Sequence, residues 1–267
     1  MPTFLQEIRD TIVLPEQVSA FEDGYLRRMN RIAFGFFALH IPVFVAIAWF
    51  NDTDPLLALL LTSAVLAGPA VAHVLLQNPR ATSVVHGVCA MFMGGLLVHF
   101  GQGPVQIEMH FYFFALIAML ALFGNPAVVI AAAVTVAAHH LALWYYLPSS
   151  VFNYDAPLWV VLVHALFVVV ESIGTVFIAR SFFDNVIGLE KIVDQRTREL
   201  DARNRDMRLV LDNVDQGLLI VGRDGVVASE MSTTVERWFG PREEHQSFCS
   251  YIERCSPSTA LAFEIAF

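Results

Sequence analysis

The chain has 267 residues and is 56% hydrophobic with 22 Phe, while only 15% of it is charged and the net charge is −9. A soluble domain usually carries about 25% charge, so an ordinary water-soluble domain is excluded. An acidic balance without a basic patch likewise excludes a nucleic-acid-binding surface.

Charge is spread unevenly. Between Ile32 and Ile178 it is confined to Asp52, Asp54, Arg80, Glu108, Asp155 and Glu171, and beyond Ala179 charged residues come thickly. The start, "MPTFLQEIRDTIVLPEQ", has no basic stretch leading into an apolar one, so no cleaved signal peptide is expected. Phe4, Leu5, Ile8 and Ile12 recur at helical spacing and predict a short amphipathic helix at the membrane surface. Six apolar runs follow, at about 31–50, 55–77, 82–100, 105–124, 126–147 and 157–180, each near the roughly 20 residues that a hydrocarbon core demands. The turns between them ("NDTDP", "QNPR", "GQGP", "GNP", "LPSSVFNYDAP") are polar or rich in breakers, which predicts an antiparallel bundle of neighbours. Arg27, Arg28, Arg31, Arg80 and Arg180 all fall on one side if both termini are cytoplasmic. Cys89, Cys249 and Cys255 are too few for a disulfide framework and are read as reduced thiols.

Every histidine except His245 lies inside an apolar run. At ~1.5 Å per residue, His110 lies ~8 Å below the outer end of the fourth run, His139 and His140 ~10–12 Å below that of the fifth, and His164 ~10 Å into the sixth. His99 lies near the outer end of the third. Four helices thus bring imidazoles to nearly one level, with Glu108 just above. Ionisable groups inside a membrane usually face the bundle interior and mark a site, and imidazole is a common ligand for zinc, copper, iron and nickel. His99, His110, His139, His140 and His164 are therefore the candidate metal ligands for a transition metal (copper or iron), and His110 and His140 are candidate axial ligands if the cofactor is haem. Glu108 lies two residues from His110, nearly opposite on a regular helix, so its expected role is to stand behind a ligand and fix its tautomer, or to pair with His99. His139 and His140 diverge by about 100°, and His140 is favoured slightly as the one facing the site. Glu171 is seven residues from His164 and so shares its stripe, which would link the site to the last span; it is also a candidate partner for His40. His73 and His86 form a separate pair towards the cytoplasmic side and are read as structural. Met91, Met93, Met109 and Met119 are read as filler ahead of soft thioether ligands for copper, and Gly94–Gly95 and the alanines of 131–138 as small residues that allow close helix packing.

The sixth run continues without a breaker into "ARSFFDNVIGLEKIVDQRTRELDARNRDMRLVLDNV". Leu189, Val193, Arg196, Leu200, Arg203, Met207, Val210 and Val214 alternate steps of four and three, the pattern of a two-stranded coiled coil, although two arginines weaken the seam. Then an apolar strand, an "RDG" turn, a second strand and a helix ending "RWFG" predict a hairpin followed by a helix.

Two resemblances follow from these residues. Gly217, Leu218, Leu219, Ile220, Asp224, Gly225, Val226, Val227 and Gly240 resemble the opening of a PAS domain, with the frequent Asn after the second strand replaced near Glu230. The remaining stretch is shorter than a whole PAS domain, so a partial one is expected, with an effector beyond Phe267. Glu108, His110, Phe113, Phe114, His139 and His140 resemble the pattern of a six-helix membrane input region found in bacterial histidine kinases and chemotaxis receptors. That resemblance spans about 30–180 and implies a sensory role with bound metal or haem. The fold expected is an all-α membrane bundle of six transmembrane helices with a C-terminal coiled-coil helix and a partial α+β PAS-like domain. Its segments are a cytoplasmic 1–29, a sensor 30–180, a coiled coil 181–213 and a PAS-like 214–267. A homodimer through the coiled coil, downstream signalling domains and the bacterial inner membrane are the implied partners and location. A small-hydrophobic-signal receptor, a His-cluster membrane oxidoreductase and a transporter are the competing readings.

Overall fold

The computed structural model describes residues 3–213, 216–243 and 245–266. Two compact units divide the chain, Met1–Glu190 and Lys191–Phe267.

In the first unit, helix starts are written into the turns. α1 (Phe4–Ile12) begins with a capping box in which the Thr3 hydroxyl accepts from Gln6 N and the Gln6 side chain accepts from Thr3 N. α4 (Pro55–Leu75), α5 (Pro79–Phe100) and α7 (Pro126–Tyr146) each open on an Asx-Pro pair. Asp54, Asn78 and Asn125 accept from backbone N–H groups of the first turn, while proline sits where the helix needs no donor. α2 (Ala20–Ala38) is capped by Ser19 and runs almost directly into α3 (His40–Phe50), with Leu39 between them. Pro42 has no N–H for the Ala38 carbonyl, which accounts for a break at this point.

α6 (Phe111–Leu120) is flanked by 3₁₀ turns at Glu108–His110 and Ala121–Phe123 and ends on Gly124 at φ 59°. α8 (Leu158–Phe182) passes through a π turn, Phe183–Ile187, before α9 (Leu189–Asn213). By length and composition five helices can cross a membrane: Ala20–Phe50, Pro55–Leu75, Pro79–Phe100, Pro126–Tyr146 and the one starting at Leu158. The fourth of the six expected spans is the shorter stretch Glu108–Phe123. Its two ends are wound as 3₁₀ turns, which rise faster per residue than α-helix. α5 is the central helix, with 61% of its apolar window buried against 22–28% in the others. Gly94 and Gly95 put it there, since a Cβ on Gly94 would lie 2.7 Å from the Phe113 ring and one on Gly95 would collide with His139.

The described residues from Thr3 to Met29 fall in the same compact unit as the bundle. Helix α2 already begins at Ala20, and arginines strap the chain before it to the bundle. Arg80 makes a bidentate ion pair with buried Glu22 and donates to the Pro15 carbonyl. Arg180 donates to the Val13 carbonyl and pairs with Asp184. Both guanidinium groups lie over the Phe183 ring, at 5.9 and 5.7 Å.

In the second unit, β1 (Leu219–Val221) and β2 (Val227–Met231) form an antiparallel hairpin that turns at Gly225, φ 75°. α10 (Thr233–Phe239) ends at Gly240, φ 82°, and α11 (Phe248–Glu253) and α12 (Pro257–Ala266) follow. Val227, Val235, Tyr251, Ile252 and Ala260 make its core. Leu189, Val193, Leu200 and Met207 of the expected seam are all about half-exposed or more on α9. The Val210 side chain and Val214 lie outside the described residues.

Candidate functional site

Three helical segments bring His110, His140 and His164 together. The ring centroids of His110 lie 5.5 Å from those of both His140 and His164, and the last two are 6.1 Å apart. In each ring Nδ1 is bonded to the carbonyl four residues earlier: Gln106 at 3.1 Å, Val136 at 3.0 Å and Val160 at 2.9 Å. A carbonyl only accepts, so each Nδ1 carries the proton and each Nε2 is left with a lone pair, the form in which imidazole ligates a metal. Nε2 of His110 is buried with no hydrogen-bond partner. A buried acceptor left so is costly and calls for an explanation.

The local sequence explains why His110 stands where it does. Gln106 is almost fully buried, and its amide donates to the Ser149 carbonyl at 2.9 Å. Its own carbonyl is met by the His110 ring, while His110 N bonds Ile107 O in the 3₁₀ turn. The residues just after the "GQGP" turn therefore set the ring, within a segment that starts as 3₁₀.

The three imidazoles, with Phe113, Phe114 and Val136, line a cavity of about 30 Å³, room for one or two water molecules. That space is of the size of an ion. Three imidazoles sharing one ion at Nε2, with N–metal near 2.0–2.1 Å, place their centroids about 5–5.5 Å apart. Two of the separations sit at the upper end of this range, and the 6.1 Å between His140 and His164 exceeds it. Accordingly, among the described residues no group of three or more His, Cys, Asp or Glu is already arranged to hold a metal ion. A closing movement of up to about 1 Å would be needed.

The other candidates fall elsewhere. His139 is 5.5 Å from the His140 ring but packs on Gly95 and Phe92, with its Nδ1 buried and unpartnered. His99 bonds the Ser150 hydroxyl at 2.8 Å. Glu108 is exposed and, among the described residues, bonds no imidazole; backbone carbonyls fix the tautomers instead. Glu171 is half-buried, with Oε2 lacking a partner beside the equally unpartnered Ser172 hydroxyl. It does not pair with His40, whose Nε2 accepts from the Tyr112 hydroxyl at 2.6 Å. His73 and His86 do stand together, ring to ring at 5.2 Å. Sequence reasoning missed Gln106, Ser150 and Phe152, which stacks on His110 at 6.0 Å; a glutamine four residues before His110 in an apolar run was the available signal. No family model, no curated protein and no solved structure matches this chain.

Proposed function

We propose that this chain is the sensory part of a bacterial inner-membrane signalling protein, of the histidine kinase or chemotaxis receptor type, whose input site takes one transition-metal ion. The observation that carries this reading is the triad of anchored imidazoles, each with its Nε2 lone pair unused by the backbone, around a cavity of ionic size. His110, His140 and His164 would hold the ion, and copper or iron would supply a redox- or ligand-sensitive centre. Glu108, Phe113 and Phe114, His139 and His140 keep the motif on which the family resemblance rests. Six spans and cytoplasmic termini belong to the same proposal.

The coupling lies in the chain's own residues. His164 sits on α8, the helix that continues through the 183–187 turn into α9. Any change in spacing among the three rings changes where α8 stands against α6 and α7. Binding then favours the closer arrangement only by its difference in affinity for the two. The exposed apolar positions on α9 support pairing with a second copy through the seam, and the hairpin and helix of the second unit agree with a partial PAS domain downstream.

A second reading has its own support. The cavity is also lined by Ala137, Val161, Ala165 and Val168, which suits a small apolar molecule, the imidazoles then serving only as acceptors. Elemental analysis of the purified protein separates the two. About one copper or iron per chain, lost in His140→Ala, supports the ion; wild-type protein without bound metal after supply of either ion, applied to both oxidation states, overturns it.

A further inference from the structure

A second built feature lies away from the imidazole triad, between α2 and the turn joining α4 to α5. A cavity of about 210 Å³ opens there, lined by Arg27, Arg31, His73, Thr82, Leu76 and Pro79. Its floor is fixed, because the Asn30 amide donates to the Pro79 carbonyl at 3.0 Å and accepts from the Ser83 hydroxyl at 3.0 Å. Arg27 is already matched: it pairs with Asp23 at 2.7 Å and donates to the Gln77 carbonyl at 3.1 Å. Arg31 is not. Among the described residues its guanidinium makes no ion pair or hydrogen bond, and His73 touches its neighbours only through ring contacts with Phe34 and His86. The lining thus carries one unmatched positive charge and two side chains with unspent donors, beside a threonine hydroxyl.

One unmatched charge fits a monoanion, and a fork of guanidinium N–H groups fits the paired oxygens of a phosphate. Beside the lining residues Arg31 and His73 in sequence, Ile32, Val74 and Leu75 are exposed apolar side chains on helices long enough to cross a membrane. An anion seated at Arg31 would therefore stand at the rim of an apolar surface. Basic pockets between membrane helices suit acidic headgroups in this way. We propose that this cleft holds the phosphodiester of an anionic phospholipid, with Arg31 as its charge partner and His73 as a further donor.

Native mass spectrometry of the full chain in detergent tests this, with phosphatidylglycerol or phosphatidylcholine of identical acyl chains as probes. Phosphatidylglycerol is expected to bind at least fivefold more tightly, and Arg31→Ala should bring the two lipids within about twofold. Arg28→Ala removes the same charge from an exposed position outside the cleft and should leave the preference intact. Arg31→Gln serves if the alanine variant is not monodisperse. Equal loss in the Arg28 and Arg31 variants means diffuse attraction to basic surface and overturns the proposal, as does a wild-type protein with no preference. A parallel titration with sodium phosphate locates the source: Arg31-dependent protection from thermal unfolding by inorganic phosphate alone would assign the cleft to a free anion and overturn the lipid.

Discussion

Two groups of histidines sit in this bundle, and they differ in what surrounds the same chemistry. His86 donates Nδ1–H to the carbonyl four residues back, as His110, His140 and His164 do, and its Nε2, like that of His110, is buried without a partner. Yet His86 is packed against the rings of Phe37 and Phe123, with His73 at its edge, and it lines no cavity among those described. His110, His140 and His164 come from three separate segments and share one. An anchored tautomer therefore does not identify a ligand. What separates the two groups is that three imidazoles from different segments line one space, and that is a tertiary property.

The contrast can be broken or sharpened by substitution. The largest effect on stability is expected at Arg80, which lies among the structural contacts at the His86 end of α5. Arg80→Ala leaves the Glu22 carboxylate, 2% exposed, without its partner, and removing one member of a buried ion pair costs about 3–5 kcal/mol. Thermal unfolding in detergent should show the loss, while metal uptake by the surviving folded protein stays intact. A stable Arg80→Ala protein would mean that Glu22 finds another partner. Next, His140→Ala should lower metal affinity at least a hundredfold, about 2.7 kcal/mol, with His110→Ala and His164→Ala behaving alike and His86→Ala unchanged by equilibrium dialysis. Equal effects at His86 would erase the distinction drawn above. Gly94→Ala pushes on the Phe113 ring that lines the cavity, and overpacking of this kind costs about 1–3 kcal/mol. Tyr112→Phe removes the donor to His40 and should cost about 0.5–1.5 kcal/mol. Smallest of all, His86→Leu exchanges an unsatisfied buried nitrogen for carbon and should be close to neutral in the same unfolding measurement.

What the sequence made legible follows from what a bilayer forbids. Backbone groups in hydrocarbon must bond within their own helix, so apolar runs of the right length stand out, and the Asp-Pro and Asn-Pro pairs at residues 54–55, 78–79 and 125–126 mark starts that the helices keep. The fourth run was less legible because composition does not reveal 3₁₀ turns at both of its ends. Depth along the axis was readable by counting, and it put His110, His140 and His164 at one level. Rotation about the axis was not. Glu108 and His99 share that level but face elsewhere, towards the exterior and towards Ser150 respectively. His40 illustrates a different failure. Starting the first span at Arg31 hid the helix that begins at Ala20 and breaks at Leu39, and with it the match between His40 and Tyr112. Arg80 was legible as a topological charge, but nothing local announced Glu22, 58 residues away, as its partner.

The π turn at Phe183–Ile187 holds one residue more per turn than the helices on either side of it. Were that extra residue to slip back into regular α geometry, every side chain beyond it would swing by about 100° around the axis. Phe183, gripped between two arginines that also hold the chain ahead of α2, is where such a slip would be resisted. One residue of winding is thus stored where both guanidinium groups lie over a single ring, at the foot of the last apolar helix.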